Sequence, residues 1–260
     1  MNTEVYQHFR PEEKPVIDML TDLIGQAKNE YRPILTHFLD PRQQYIANFL
    51  LKDDDLIKVQ ADGGFANAER KRLLFYPPYL EPKREDFELQ LLEINYPQKF
   101  ATLTHGQILG TFANSGLERE VLGDITTDGI RWQIIVQKNI SDYLLRQIER
   151  IGKNSVRLEE KPLTELVIGE DESENEVVSL SSLRIDTVIA TVYNISRKRA
   201  KDLITAKKVQ LNWMVIEKPD VELSLADVVS VRGFGRIKLG ERLGISKRDK
   251  LRHEIAVFRK

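Results

Sequence analysis

The sequence predicts an α+β protein in three parts, and three observations support this fold class. Its 260 residues are enough for two or three domains of about 100–200 residues each. Apolar residues recur at helical spacing in some segments and alternate at strand spacing in others. Residues 169–176 are acidic and polar, so they cannot contribute to a core. We therefore expect an N-terminal α/β region at 1–82, a second domain at 83–165, an acidic linker at 166–180 and a third domain at 181–260.

Composition narrows the class of protein. Hydrophobic residues make up 41% and charged residues 30% of the chain, which is ordinary for a soluble globular protein. The chain has no cysteine, which excludes disulfides, Cys-bound metal centres and a thiol nucleophile. It has no apolar run of about 18 residues and no apolar secretory region near its first residue. We expect a cytoplasmic protein that has no contact with a membrane.

The first region is predicted to combine two helices with short strands. Apolar residues spaced by three and four predict a helix over residues 15–26. Asp40 and Pro41 provide an N-cap and a first-turn proline for a second helix. Strands are expected at 56–61 and 73–76, with a turn at 62–64 and a short helix at 66–71 between them.

The second region alternates more clearly between strands and helices. Strands are predicted at 87–94, 121–125, 131–136 and 156–160, and helices at 104–113 and 141–150. The resulting order, β-α-β-β-α-β, is the ferredoxin-like arrangement. RNA-recognition domains have this topology, but so do many unrelated proteins, so the order alone does not indicate a function.

The third region carries an excess of positive charge that the neutral chain conceals. The whole chain has 39 basic and 40 acidic residues, whereas residues 181–260 have 18 basic and 9 acidic ones. This asymmetry indicates that the third region binds a polyanion; the alternative is a solvated basic surface. Two helices are expected at 184–193 and 196–206, followed by strands at 209–212, 214–217, 228–232 and 252–258.

Several short motifs of the third region follow one another at a specific spacing. In order they are Arg184-Ile185-Asp186, Ser196-Arg197, Leu203-Ile204, residues 209–212 and Lys218-Pro219. Together they resemble the S4 RNA-binding domain. The sequence departs from the S4 pattern where it has Lys207, Trp213 and Ala226 in place of glycines. Trp213 must then hold a turn that favours glycine, and its ring either stacks on RNA or packs against the sheet.

The second helix of this region is expected to present a basic face. Ser196 is a good N-cap, and helix N-termini favour phosphates. Arg197 and Lys201 share one face because they are four residues apart, and Lys198 lies beside them. We expect Asp186 to pair with a nearby arginine or to cap the first helix. Such a face neutralises phosphates and gives affinity with little sequence choice.

A second basic element, residues 231–238, places Phe234 between two glycines and several cations. Glycine lets a backbone approach RNA closely and Phe234 can stack on a base, although an ordinary hairpin turn would also use these glycines. The predicted RNA-binding residues are Arg184, Ser196, Arg197, Lys198, Lys201, Lys207, Lys208, Asn212, Trp213, Arg232, Phe234, Arg236 and Lys238.

Motifs in the first two regions extend the resemblance. They are residues 62–64, 68–72, 105–110, 116–120 and 123–125. With Asn212-Trp213 and residues 232–238 they resemble the YlmH-type S4 proteins of Gram-positive bacteria over nearly the whole chain. This resemblance implies RNA binding, association with the ribosomal large subunit, rescue of stalled translation products and a genomic link to cell-division genes.

A search for catalytic motifs gives no candidate that we adopt. The four histidines have no metal-ligand spacing, and no phosphate-binding or dinucleotide motif has the required context. We expect no catalytic residue, metal or cofactor, and a non-enzymatic protein that recognises rRNA or tRNA on the large subunit. The alternatives are an RNA-modifying enzyme with a site near His105 and Asp124, and an adaptor for a protein of the division machinery.

Overall fold

A computed structural model describes residues 5–52, 54–169, 173–246 and 249–259. The chain divides into two compact units, Met1–Glu170 and Asp171–Lys260. The first two predicted regions therefore share one unit. Among the described residues, no helix combines the length and apolar content needed to cross a membrane.

In the N-terminal part of the first unit, the described residues form a three-stranded antiparallel sheet with two helices. Its elements are α1 (Lys14–Glu30), β1 (Ile34–Leu39), α2 (Pro41–Leu50), β2 (Lys58–Asp62) and β3 (Lys71–Tyr76), with strand order β1-β3-β2. The capped second helix is confirmed, because the side chain of Asp40 accepts from the Gln43 amide and Gln43 reaches back to the Asp40 amide.

Two expectations for this part are wrong. The sequence pattern did not indicate β1, although it pairs with β3. Residues 66–71 do not form a helix: the segment turns and then enters β3. The reason is that the amides of Glu69 and Arg70 donate to the carboxylate of Asp124, which ties the segment to a neighbouring strand instead of to its own carbonyls.

The second part of the first unit confirms the ferredoxin-like arrangement. Its elements are β4 (Leu89–Asn95), α3 (His105–Ala113), β5 (Leu122–Thr127), β6 (Trp132–Gln137), α4 (Ser141–Gln147), β7 (Arg150–Ile151), β8 (Asn154–Ser155) and β9 (Arg157–Lys161). The sheet order is β5-β6-β4-β9 with every pair antiparallel, as this fold requires. Helix α4 is shorter than expected because β7 and β8 form a small hairpin, and the hydroxyl of Ser141 donates to Glu160 instead of capping the helix.

Both faces of the ferredoxin-like sheet are covered. Leu92 and Ile94 pack against the helices, while Leu91 and Ile135 pack on the other face against Phe38 of β1. The contact is close: a Cβ placed on Gly123 would lie 2.9 Å from the Phe38 ring. RNA-recognition domains stack bases on this second face, and in this chain it is buried.

The described residues of the second unit form two helices and six strands. They are β10 (Ser173–Leu180), α5 (Ile185–Val192), α6 (Arg197–Thr205), β11 (Val209–Leu211), β12 (Met214–Val215), β13 (Val228–Val231), β14 (Gly235–Ile245) and β15 (Leu251–Arg259). The sheet order is β10-β15-β14-β13-β11-β12. Side chains of both helices, such as Val188 and Leu203, pack with Val229 and Ile237 in one core.

The predicted acidic linker is wrong over residues 173–180, which form β10 and pair with β15 along their whole length. Val178 and Leu180 reach the core, and Arg259 forms ion pairs with Glu174 and Glu176 across the two strands. The acidic residues are therefore matched by a cation far away in sequence. Residues 170–172 of the expected linker lie outside the described residues.

Candidate nucleic-acid interface

A single buried carboxylate organises the basic face of α6. Asp186 of α5 is fully buried. Its carboxylate lies 3.2 Å from Nε of Arg184, 3.1 Å from Nη2 of Arg197 and 4.0 Å from Nζ of Lys201. The side chains of Arg197 and Lys201 remain 54% and 49% exposed. The expected pairing of Asp186 with an arginine is confirmed, and we call the four residues the Asp186 cluster.

The Asp186 cluster keeps a surplus of positive charge. Burial acts to raise the pKa of Asp186, but hydrogen bonds from Arg184 and Arg197 outweigh it and hold that pKa below its usual value. The carboxylate therefore stays ionised at neutral pH. Three cations surround one anion, so the cluster presents net positive charge to solvent.

Helix α6 has the amphipathic form that its sequence predicts. The hydroxyl of Ser196 accepts from the Arg199 amide at 3.1 Å, which confirms the N-cap. Ala200, Leu203 and Ile204 are buried in the core, while Lys198 is exposed on the other side. The helix thus has an apolar back and a cationic front.

The two predicted basic segments of this unit meet at a pocket. Lys207, Lys208 and Arg232 line an open pocket of about 300 Å³ together with Gln210, Ser230, Val231 and Gly235. The Arg232 amide donates to the Lys208 carbonyl at 2.8 Å, which holds the segments together. The ammonium of Lys207 lies 2.8 Å from the carboxylate of Glu217.

Sequence reasoning missed two residues of this pocket, Gln210 and Ser230. Their strand neighbours Val209, Leu211, Val229 and Val231 are all buried. Side chains alternate between the two faces of a sheet, so Gln210 and Ser230 lie on the face away from the helices. The alternation of apolar and polar residues in these strands could have indicated this from the sequence.

The turn between β11 and β12 explains Asn212. Its side-chain nitrogen donates to Asp227 at 2.8 Å, and its side-chain oxygen accepts from the Val228 amide at 2.9 Å. Asp227 is fully buried and also accepts from the Ser224 amide. The amide group of Asn212 therefore holds the turn together, and its predicted contact with RNA stays a prediction.

The three residues that stand in place of S4 glycines adopt the backbone conformation that glycine would favour. The φ angles of Lys207, Trp213 and Ala226 are 56°, 65° and 66°. This left-handed region is uncommon for residues with a Cβ, so the surrounding contacts impose it. Trp213 is partly buried; base stacking by its ring stays a prediction.

In the second basic element, Phe234 and Gly235 contribute to the packing of this unit. Phe234 is partly buried, with its ring centroid 5.2 Å from that of Tyr193. Burial raises the pKa of Tyr193 to about 12, so its hydroxyl stays neutral. Gly235 has φ of 128°, and a Cβ there would lie 1.9 Å from the Phe258 carbonyl oxygen. The close approach of β15 and the positive φ therefore account for this glycine.

The structure does not place Arg236 and Lys238 on the face that carries the helices. Ile237 and Leu239 between and beside them are buried in the core, so Arg236 and Lys238 point to the opposite face of the sheet. The guanidinium of Arg236 lies 4.8 Å from the centroid of the Phe258 ring. These two cations form a patch distinct from the Asp186 cluster.

The alternative enzymatic site was predicted near Asp124 and His105, and the structure gives Asp124 a role in holding the fold. The carboxylate of Asp124 accepts from the amides of Glu69 and Arg70 at 2.6 and 3.2 Å. Desolvation, reinforced by the charge of Glu69, raises its pKa to about 6. His105 is exposed at the first position of α3. In the part of the chain that the structure describes, no three His, Cys, Asp or Glu residues are placed to hold a metal ion.

Comparison with known proteins agrees with this layout. The families described as "YlmH, N-terminal", "Putative RNA-binding domain in YlmH" and "S4 domain" match residues 12–80, 82–165 and 183–229. A Bacillus subtilis (strain 168) protein named "Ribosome-associated protein quality control protein P2" is 36% identical over 250 residues, which cover 96% of this chain and 97% of that protein. The solved structure "Cell division protein ylmH from Streptococcus pneumoniae" is 38% identical, covers 62% of this chain and 98% of its own, and has a TM-score of 0.54. On these matches, the chain belongs to the YlmH family and its third region is an S4 domain.

Proposed function

We propose that this chain is a non-enzymatic RNA-binding protein that recognises structured rRNA or tRNA on the ribosomal large subunit and acts in the rescue of stalled translation. The observation that carries the proposal is the Asp186 cluster on the exposed face of an S4 domain. The name of the Bacillus subtilis relative supports an association with the ribosome.

The geometry of the cluster suits an RNA backbone. Arg197 and Lys201 are about half exposed, so each can exchange water for phosphate oxygens while Asp186 holds its position. Cations placed in this way contact phosphates and give affinity without reading bases. Double-stranded RNA is recognised mostly through its shape and its backbone, and a rigid cationic helix face can match that shape.

A non-enzymatic role is supported by the surroundings of the two residues at the alternative enzymatic site. Asp124 braces a neighbouring segment through backbone amides, and His105 is exposed at the first position of α3. A mass map of modified ribosomal nucleotides tests the enzymatic alternative. A nucleotide that loses its modification when the gene is deleted would favour an enzyme.

An adaptor role in cell division is the second candidate, because the Streptococcus pneumoniae structure carries a cell-division name. Affinity purification with and without ribonuclease separates the two candidates. RNA-mediated partners are lost after ribonuclease treatment, whereas a division protein bound directly to the chain is retained.

The direct test of the proposal is RNA recovery from cells. We expect a tagged full-length chain to recover ribosomal RNA or tRNA, and the double variant Arg197→Ala, Lys201→Ala to lose most of it. Lys52→Ala, an exposed cation in the first unit, is the matched control. In vitro, the logarithm of affinity should fall with the logarithm of salt concentration at a slope of about −2 to −5, because several counterions are released. Equal recovery by wild type and double variant would refute the proposal.

A further inference from the structure

An aromatic ring stands almost fully in solvent on the first unit. Phe100 is 91% exposed, more than any other large apolar side chain among the described residues. The loop that carries it is ordered by hydrogen bonds, since the amides of Phe100 and Ala101 donate to the Pro97 carbonyl at 2.9 and 3.0 Å. A fixed turn therefore presents the ring outward.

The hairpin β7–β8 lies beside this loop. The side-chain nitrogen of Asn154 donates to the Thr102 carbonyl at 3.4 Å, and a Cβ on Gly152 would lie 3.6 Å from Nε2 of Gln107. Arg157 pairs with Asn95, the last residue of β4 before the loop. Residues 96–104 and 150–157 thus form one edge of the domain, which we call the loop edge.

The loop edge is positive within an acidic unit. It contains four cations, Lys99, Arg150, Lys153 and Arg157, and no acidic residue, whereas residues 1–170 have 21 basic and 27 acidic residues. All four of these cations are exposed. A cationic edge around one exposed aromatic ring complements a polyanion that has flat apolar faces, which is the chemistry of an unpaired nucleic-acid strand.

We propose that the loop edge binds single-stranded RNA, with Phe100 stacking on an unpaired base and the four cations contacting phosphates. The inference rests on the proposed function, because it takes RNA as the partner of this chain. The sheet face on which RNA-recognition domains stack bases is buried against Phe38, so the domain uses its edge. The S4 domain and the loop edge then bind different forms of RNA, paired and unpaired.

Fluorescence anisotropy with the full chain tests this division. The probes are a single RNA strand of about 12 nucleotides and an RNA duplex of about 12 base pairs. Phe100→Ala should weaken single-strand binding about 5-fold or more and leave duplex binding unchanged, while Phe100→Trp should retain single-strand binding. Leu56→Ala removes a side chain that is 66% exposed elsewhere in the first unit and should change neither. Because these side chains are exposed, each variant should melt at the wild-type temperature.

The contribution of the loop-edge cations is tested by the salt dependence of single-strand binding. Lys99→Glu with Lys153→Glu should reduce the salt slope of single-strand binding by about two, one for each lost phosphate contact. Lys52→Glu, which changes an exposed cation outside the loop edge, should leave the slope near the wild-type value.

The outcomes separate this proposal from the proposed function. If the wild type does not bind the single strand, or if Phe100→Ala binds it as tightly as wild type, the loop-edge proposal is refuted. Capture of a protein after ribonuclease treatment that depends on Phe100, without single-strand binding, would also refute it and identify a protein-docking edge. If Arg197→Ala with Lys201→Ala leaves duplex binding intact while Phe100→Ala weakens single-strand binding, the S4 proposal fails and the loop edge stands.

Discussion

Two aspartates, one in each unit, have pKa values that are shifted in opposite directions. Asp186 of α5 is fully buried, yet its pKa lies below the usual value because hydrogen bonds from Arg184 and Arg197 outweigh burial. Asp124 of β5 is only partly buried, yet desolvation and the charge of Glu69 raise its pKa to about 6. Exposed surface alone therefore does not order the two pKa values; the hydrogen-bond donors and neighbouring charges do.

The two carboxylates differ in their hydrogen-bond donors, and the donors determine what each carboxylate does. Asp186 accepts from side chains that extend to the surface, so an internal charge fixes the positions of external cations. Asp124 accepts from backbone amides of another segment, so its charge braces the fold. Similar buried acids can thus build an interface or hold a scaffold, and their partners distinguish the two.

Replacement of Asp186 by alanine should have the largest effect on stability. Removing one partner of a buried ion pair costs about 3 to 5 kcal/mol, and we expect the lower end because Arg197 can regain water. Each unit has one tryptophan, Trp132 or Trp213, so denaturant unfolding in a Trp132→Phe background reports on the second unit alone. Asp202→Ala, exposed on α6, is the control. Equal losses in the two variants would show that Asp186 contributes no more than a surface charge.

Stability of the first unit should depend on pH through Asp124. Its folded pKa of about 6 exceeds the unfolded value of about 3.9, so the folded state binds a proton more tightly. Acidification from pH 7 to pH 4 should therefore stabilise this unit by about 2 kcal/mol through Asp124.

The measurement compares wild type with Asp124→Asn in a Trp213→Phe background. Glu13 and Asp54 have lowered pKa values in the same unit and act in the opposite direction, so only the difference between the two proteins isolates Asp124. The wild type should gain relative to the variant as pH falls. A constant difference would contradict the raised pKa. For Asp186 the sign is reversed: its stabilisation is present above about pH 4 and is lost below it.

Replacement of Asp186 by asparagine should weaken RNA binding even though it makes the surface more positive. Charge alone predicts tighter binding, whereas loss of the carboxylate frees Arg197 and Lys201 from their fixed positions. We expect affinity for an RNA duplex to fall about tenfold, or about 1.4 kcal/mol. Tighter binding would mean that Asp186 has no positioning role. Asp202→Asn adds the same charge on α6 without touching the cluster and should bind slightly more tightly.

Local periodicity and ordered motifs were sufficient for much of the fold. The ferredoxin-like order and the capped helix α6 were predictable because each depends on residues close together in sequence. Strand β10 was not, since its acidic residues are matched by Arg259 about 80 residues later. Strand β14 contains Gly235, Gly240 and Gly244, which weaken a strand pattern, and its pairing with β13 and β15 supplies what the local sequence lacks.

The candidate site was predictable in composition but not in geometry. The pairing of Asp186 with an arginine could be expected from the motif, whereas its convergence with three cations requires the packing of α5 on α6. The burial of the second sheet face depends on Phe38, which precedes β4 by about 50 residues. No pattern within the second region could indicate it.

The smallest predicted effect concerns another buried carboxylate, Asp227, which accepts from backbone and side-chain amides in a turn. Ala226 beside it has φ of 66°, a conformation that costs a residue with a Cβ more than it costs glycine. Ala226→Gly should therefore stabilise the second unit by about 0.5 to 1 kcal/mol, measured by Trp213 fluorescence during denaturation. Ala190→Gly in α5, a helical position, should instead destabilise it by about 1 kcal/mol. Destabilisation by both changes would mean that the Asp227 network imposes no strain, and Asp227 would then resemble Asp124 in bracing a relaxed backbone.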